Sequence, residues 1–204
     1  MKKRLLYIFI FFGILAQFGA LISNIVLHEV IVRKGTVHRF QTAPVDPFDA
    51  FRGRYVALNF KAFRNFSSDV EISREKWCYL QIGTNVDGFS VIERISQKSD
   101  VPPPYLKVRA WSSMIYEKEV DSEGKEHSVP SGKYRIYFPN LPFERYYMPE
   151  RLAPQAEEVY RQHQQAAESD EHNTVAVVRI WNGRAVVEDL EIDDIPIREV
   201  LMKR

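Results

Sequence analysis

From Leu5 to Leu27 the chain is apolar without interruption, "LLYIFIFFGILAQFGALISNIVL", with no charge and only Gln17, Ser23 and Asn24 as clearly polar members. About 23 helical residues at about 1.5 Å each reach about 34 Å, enough to cross a hydrocarbon core about 30 Å thick. Beyond this run the periodicity changes to two. "EVIVRKGTVHRFQTAPVDP" predicts one or two strands, with Gly35 as a turn or bulge and Pro44 and Pro47 as stops. In "YVALNFKAF", Val56, Leu58, Phe60 and Ala62 alternate with Tyr55, Ala57, Asn59 and Lys61, the pattern of a half-buried strand. "WCYLQIGTNVDGFSVIERI" predicts a hairpin turning at Asp87-Gly88, residue types that tolerate positive φ.

"VPPPYLKVRAW" opens on a proline connection and continues as a strand with Leu106, Val108 and Ala110 on one face. "DSEGKEHSVPSG" is polar and turn-rich, so an exposed loop is expected before the strand "KYRIYF". "PNLPFERYYMPE" is too proline-punctuated for a long regular element and reads as an irregular aromatic arm. Steps of three and four through Leu152, Ala156, Val159, Tyr160, His163 and Ala167 predict a helix over about 152–168. Pro154 fits its first turn, and Glu157 and Glu158 suit the positive end of its dipole. "TVAVVRIWNGRAVVEDLEID" predicts a closing hairpin over about 174–192, joined by the type I′ pair Asn182-Gly183. The fold class expected is α+β and mostly β: an N-terminal transmembrane helix, then a mainly antiparallel sheet or partly open barrel with one packed amphipathic helix.

The flanks of the apolar run give it a direction. "KKR" precedes it and "HEVIVRK" follows, with the denser basic cluster first, so the N-terminus is expected in the cytoplasm. The rival for this segment is a cleaved signal peptide. Its apolar core would be shorter, about 7 to 15 residues, and would end in a small-x-small site, whereas Phe18-Gly19-Ala20 has Phe where a small residue is wanted. An uncleaved anchor over 1–28 and one extracytoplasmic β-rich domain over 29–204 are therefore expected, placing the protein in the inner membrane as a single-pass chain.

Composition narrows the chemistry. The 204 residues include ten Tyr and thirteen Phe, enough rings to build a core. Without Lys2, Lys3 and Arg4, the 28 basic groups fall to 25 against 27 acidic ones, which argues against a nucleic-acid footprint. Cys78 is the only cysteine, so no intramolecular disulfide and no cysteine zinc site can form, and it reads as a small buried strand residue. The five histidines, at 28, 38, 127, 163 and 172, show no HExxH motif or paired ligand spacing. No G-x-S-x-G, P-loop or dinucleotide fingerprint occurs, and the turn "PVDPF" lacks the serine of the membrane signal peptidases it loosely evokes. Neither a catalytic residue nor a metal or cofactor is assigned.

Two segments carry the candidate interaction residues. The first holds Asp46, Asp49, Arg52, Gly53, Arg54, Tyr55 and Leu58; it is either a recognition edge presenting arginine forks, or a turn in which Asp46 bonds nearby N–H groups and Gly53 permits a bulge. The second holds Arg145, Tyr146, Tyr147 and Glu150, which either line a pocket or pack over the end of a sheet.

"PVDPFDAFRGRYVALNF" resembles the signature of the GDYxxLxY family of bacterial membrane-associated proteins. Gly53, Tyr55, Leu58 and the aromatic Phe60 fall on its register, while Arg54 replaces the acidic residue and Phe60 the final Tyr. "FERYYMPERLAPQAEEVYR" is similar to the family's second block. The resemblance covers nearly the whole chain and implies an envelope protein with a β-rich extracytoplasmic domain, in a family often encoded beside polytopic membrane proteins. It implies no activity, and Arg54 weakens any catalytic or metal role for that motif position. The function expected is a membrane-anchored interaction module working with an integral membrane partner, through either motif segment or through the helix and its following "AAESDEHN" loop. The alternative is an envelope ligand-binding domain or hydrolase using Asp46, Tyr55, Tyr147 and Glu150.

Overall fold

The computed structural model describes residues 2–43, 55–120, 126–149, 151–166 and 174–203. Among the described residues four helices and twelve strands follow in order: α1 (Lys2–Lys34), β1 (Thr36–Ala43), β2 (Tyr55–Ala57), β3 (Asn59–Phe60), α2 (Lys61–Arg64), β4 (Ser67–Ser68), β5 (Lys76–Thr84) and β6 (Ser90–Ser96). Then come β7 (Tyr105–Val120), β8 (Glu126–Tyr137), β9 (Arg145–Tyr147), α3 (Ala153–Ala166), β10 (Thr174–Trp181), β11 (Arg184–Ile192), β12 (Ile195–Pro196) and α4 (Ile197–Met202). One five-stranded sheet has the order β12-β11-β10-β1-β3, a second β4-β8-β7-β5-β6, and β2 and β9 form a separate two-stranded ribbon. Among the described residues the paired strands are all antiparallel and no barrel closes, in line with the mainly antiparallel sheet or partly open barrel expected.

The expected strand at 29–34 is instead the end of a helix. A helix already running through the apolar stretch gains a hydrogen bond per added residue, which outweighs the few tenths of a kcal/mol that Val and Ile cost in a helix. Glu29 pairs with Arg33 at 2.6 Å, Arg33 and Lys34 sit at the negative end of the dipole, and Ile31 is buried. Gly35 ends the helix by donating its N–H to the Ile31 carbonyl at 2.8 Å, where a Cβ would meet that oxygen at 2.5 Å. α1 contains one segment, Phe9–Lys34, long and apolar enough to cross a membrane.

The single strand expected over "YVALNFKAF" divides. β2 pairs with β9, β3 pairs with β1, and the chain then turns into α2. Alternation survives the division, since Val56, Leu58 and Phe60 are buried while Tyr55, Ala57 and Asn59 are half-buried. It stops where the helical turn buries Phe63 rather than Ala62. Phe63 joins Phe40, Phe60 and Phe143 in an aromatic core, with Phe60 and Phe143 centroids 5.0 Å apart.

Both predicted hairpins form, and Asn182 (φ 47°) and Gly183 (φ 76°) have the two positive φ values of a type I′ turn. The loop expected over 121–132 is a strand from Glu126, paired with β7 out to Val120. Pro130, which cannot donate to a ladder, is accommodated beside a register shift between Met114 and Tyr116. β9 supplies a regular element inside the arm expected to be irregular. α3 is the expected amphipathic helix, burying Ala153, Ala156, Val159 and Tyr160.

Candidate functional site

The ribbon of β2 and β9 brings the two motif segments together. Tyr55 stands opposite Tyr147, Val56 opposite Tyr146 and Ala57 opposite Arg145. The Leu58 N–H extends the pairing by donating to the Glu144 carbonyl at 2.8 Å. Strand alternation then sorts the side chains, with Val56 and Tyr146 facing the core and Tyr55, Arg145 and Tyr147 facing outward.

Outside, the rings of Tyr55 and Tyr147 lie 5.5 Å apart and the Arg145 guanidinium stacks 5.0 Å from the centre of the Tyr55 ring. Tyr147 is 63% exposed. Arg145 is held above its ordinary guanidinium range, first by its hydrogen bond to Tyr147 and then by attraction to Tyr55. Arg145 and Tyr147 border a depression of about 230 Å³ with Leu141, Pro142 and Glu144. A guanidinium held between two phenols can stack on a planar group and bond an anionic one, and arginine and tyrosine commonly dominate interface energies.

Inside, the buried Tyr146 hydroxyl donates to Asp189 Oδ1 at 2.9 Å and accepts from Arg198 Nε at 3.2 Å. Burial, and then the Asp189 hydrogen bond, push this phenol up to about 12. Asp189 on β11 and Arg198 on α4 have no sequence signal linking them to Tyr146, being 43 and 52 residues away.

Asp46, Asp49, Arg52, Gly53, Arg54 and Glu150 lie outside the described residues. Leu58 is a core residue rather than a surface one. Cys78 is fully buried and burial pushes its thiol up, away from reactivity. His38 is also buried, with Nε2 at 2.9 Å from Thr36 Oγ1 and Nδ1 at 3.3 Å from Ser90 Oγ, and burial lowers its pKa. Among the described residues no group of three or more His, Cys, Asp or Glu side chains could hold a metal ion.

Comparison with protein families matches residues 17–190 to the family described as GDYXXLXY protein. No curated protein and no solved structure matches the chain. The family match takes in the second half of the apolar helix, both motif segments and most of the closing hairpin, so most of the chain is accounted for and the chain belongs to the GDYXXLXY family.

Proposed function

We propose that this protein is a membrane-anchored extracytoplasmic interaction module that works with an integral membrane partner. The segment through His28 spans the inner membrane with its basic N-terminus in the cytoplasm, and the chain from Glu29 onward stands on the far side. The observation that carries the reading is the outward cluster of Tyr55, Arg145 and Tyr147, built jointly by the family's two motif segments. Arginine and tyrosine are the residue types that commonly dominate interface energies, and here three of them stand together on the outward face, which supports a recognition role.

Crosslinking of the full-length chain in native membranes is the test. A polytopic protein is expected among the products, and Arg145→Ala with Tyr147→Ala should reduce its recovery at unchanged abundance of the variant. Recovery that is unaffected by this pair, and by Arg52→Ala with Arg54→Ala, removes both motif segments as the contact. Retention after a carbonate wash, with digestion of the domain by protease added to spheroplasts, checks the anchor and its orientation.

A further inference from the structure

A groove of about 780 Å³ lies where α1 meets the β7 strand and the β10–β11 turn. Its α1 wall runs from Asn24 to Ile31, about 10 Å along the axis, and straddles Leu27, where the apolar run ends. If α1 spans a bilayer, the groove therefore opens at the depth of the lipid headgroups.

Its lining is chemically one-sided. Lys107, Arg109 and Arg184 contribute three cations and His28 an imidazole, over an apolar floor that includes Leu27 and Leu141, and no carboxylate is among the lining residues. Trp77, 53% exposed, forms part of the rim. Lys107 Nζ and Arg109 Cζ each lie 5.4 Å from the centre of the Trp77 ring. Arg109 also pairs with the Glu75 carboxylate at 3.0 Å, outside the lining. Strand pairing sets this arrangement, because Trp77 stands opposite Arg109, and Tyr79 opposite Lys107, on the outward face of the β5–β7 ladder.

We propose that this groove binds the anionic headgroup of a bilayer phospholipid, with the lipid chains lying along the apolar flank of α1. The cations match a phosphodiester whose headgroup carries no balancing cation, and Trp77 takes the interfacial position that tryptophan favours beside a membrane. A transmembrane helix of a partner would fill the apolar floor but leave Lys107 and Arg184 without counter-charge, Arg109 alone having the Glu75 carboxylate beside it. The proposal rests on α1 spanning a membrane.

The test places the full-length chain in nanodiscs of equal phosphatidylcholine and phosphatidylglycerol, extracts it gently and counts retained lipids by native mass spectrometry. Phosphatidylglycerol should be retained in preference to phosphatidylcholine. A triple variant, Lys107→Gln with Arg109→Gln and Arg184→Gln, should lose that preference, at about fivefold in affinity per cation removed. A control of equal charge change, Lys98→Gln with Lys118→Gln and Lys133→Gln, should keep it. Unchanged circular dichroism and a cooperative thermal transition verify that both variants are folded. A wild-type chain that resists a carbonate wash but shows no preference overturns this site alone, and a chain that the wash releases overturns the anchor and the site with it. Equal loss in the control variant, or loss of partner crosslinking in the triple variant with lipid preference intact, also overturns the proposal.

Discussion

Replacing Tyr146 by Phe tests whether the second motif segment is locked to the distant end of the chain. The ring stays in place, so no cavity opens, and only the hydroxyl between Asp189 Oδ1 (2.9 Å) and Arg198 Nε (3.2 Å) is lost. Hydrogen bonds to charged groups contribute about 1.5 to 3 kcal/mol net. Asp189 Oδ1 still accepts from the Leu190 N–H at 2.8 Å, which points to the lower half of that range, about 2 kcal/mol. A chain of this size should then melt about 4 to 8 °C lower. Full-length protein in detergent can be followed by intrinsic fluorescence, because all three tryptophans lie in strands outside α1. A double-mutant cycle with Arg198→Met should give a coupling of about 1 kcal/mol. Alkaline titration supplies the sign. The phenol is pushed up to about 12 in the folded chain, so its share of stability is complete below about pH 10 and is lost as pH rises from there towards 12. Tyr146→Phe should remove that share of the alkaline loss, while Tyr160, also pushed up to about 12 by burial, and Cys78, whose thiol burial likewise raises, still contribute theirs. A loss under about 0.5 kcal/mol with no coupling to Arg198 would refute the lock.

Two further predictions concern a buried histidine and a pair of glycines. His38 is buried and its pKa is lowered, so its neutral form is favoured in the folded chain; stability should be full above about pH 6.5 and fall as pH drops below it. His38→Gln should flatten the slope of melting temperature between pH 6.5 and 5, and an unchanged slope would show that another group carries it. Gly183→Ala combines a φ of 76° with a Cβ placed 2.8 Å from the Tyr105 ring and 3.1 Å from Lys107 Cβ. Gly88→Ala has a φ of 83° but open space. The first should therefore cost more than the 1 to 2 kcal/mol or so expected of the left-handed region alone, and the second about that amount. Equal losses in chemical denaturation would remove the close approach of the β10–β11 turn to β7 as a constraint.

Local signals were sufficient for elements whose partners are near in sequence. The two hairpins and α3 were readable because turn residues and periodicity act over a few positions, and Asn182-Gly183 is the clearest case. Where propensity misled, a neighbouring element had already set the backbone. "EVIV" has β-branched residues suited to a strand, but it continues a helix and buries Ile31 there. "EHSVPSG" looks like a loop because it is polar, yet a strand paired mainly on exposed surface needs no apolar face. The site was legible as two segments and not as one place. Their union depends on a three-residue ladder between Tyr55 and Tyr147, and no local pattern specifies a pairing across about 90 residues.

The same alternation explains how the family motif divides its labour. In a strand, residues an even number of positions apart share a face, so Leu58 and Phe60 point together while Tyr55, three before Leu58, points the other way. Leu58 and Phe60 are buried, and Phe60 sits against Phe40, Phe63 and Phe143. Their spacing is accounted for by the core alone, and an aromatic of either kind at position 60 meets that need. Tyr55 is the described motif position that the core does not claim, and it is the one that meets Arg145 and Tyr147 from the second segment. Packing thus selects the leucine and the last aromatic of the signature. The outward tyrosine is left over by packing, and through β9 it meets an arginine and a second tyrosine that the signature itself does not contain, which is why the proposed recognition role is placed on these three side chains.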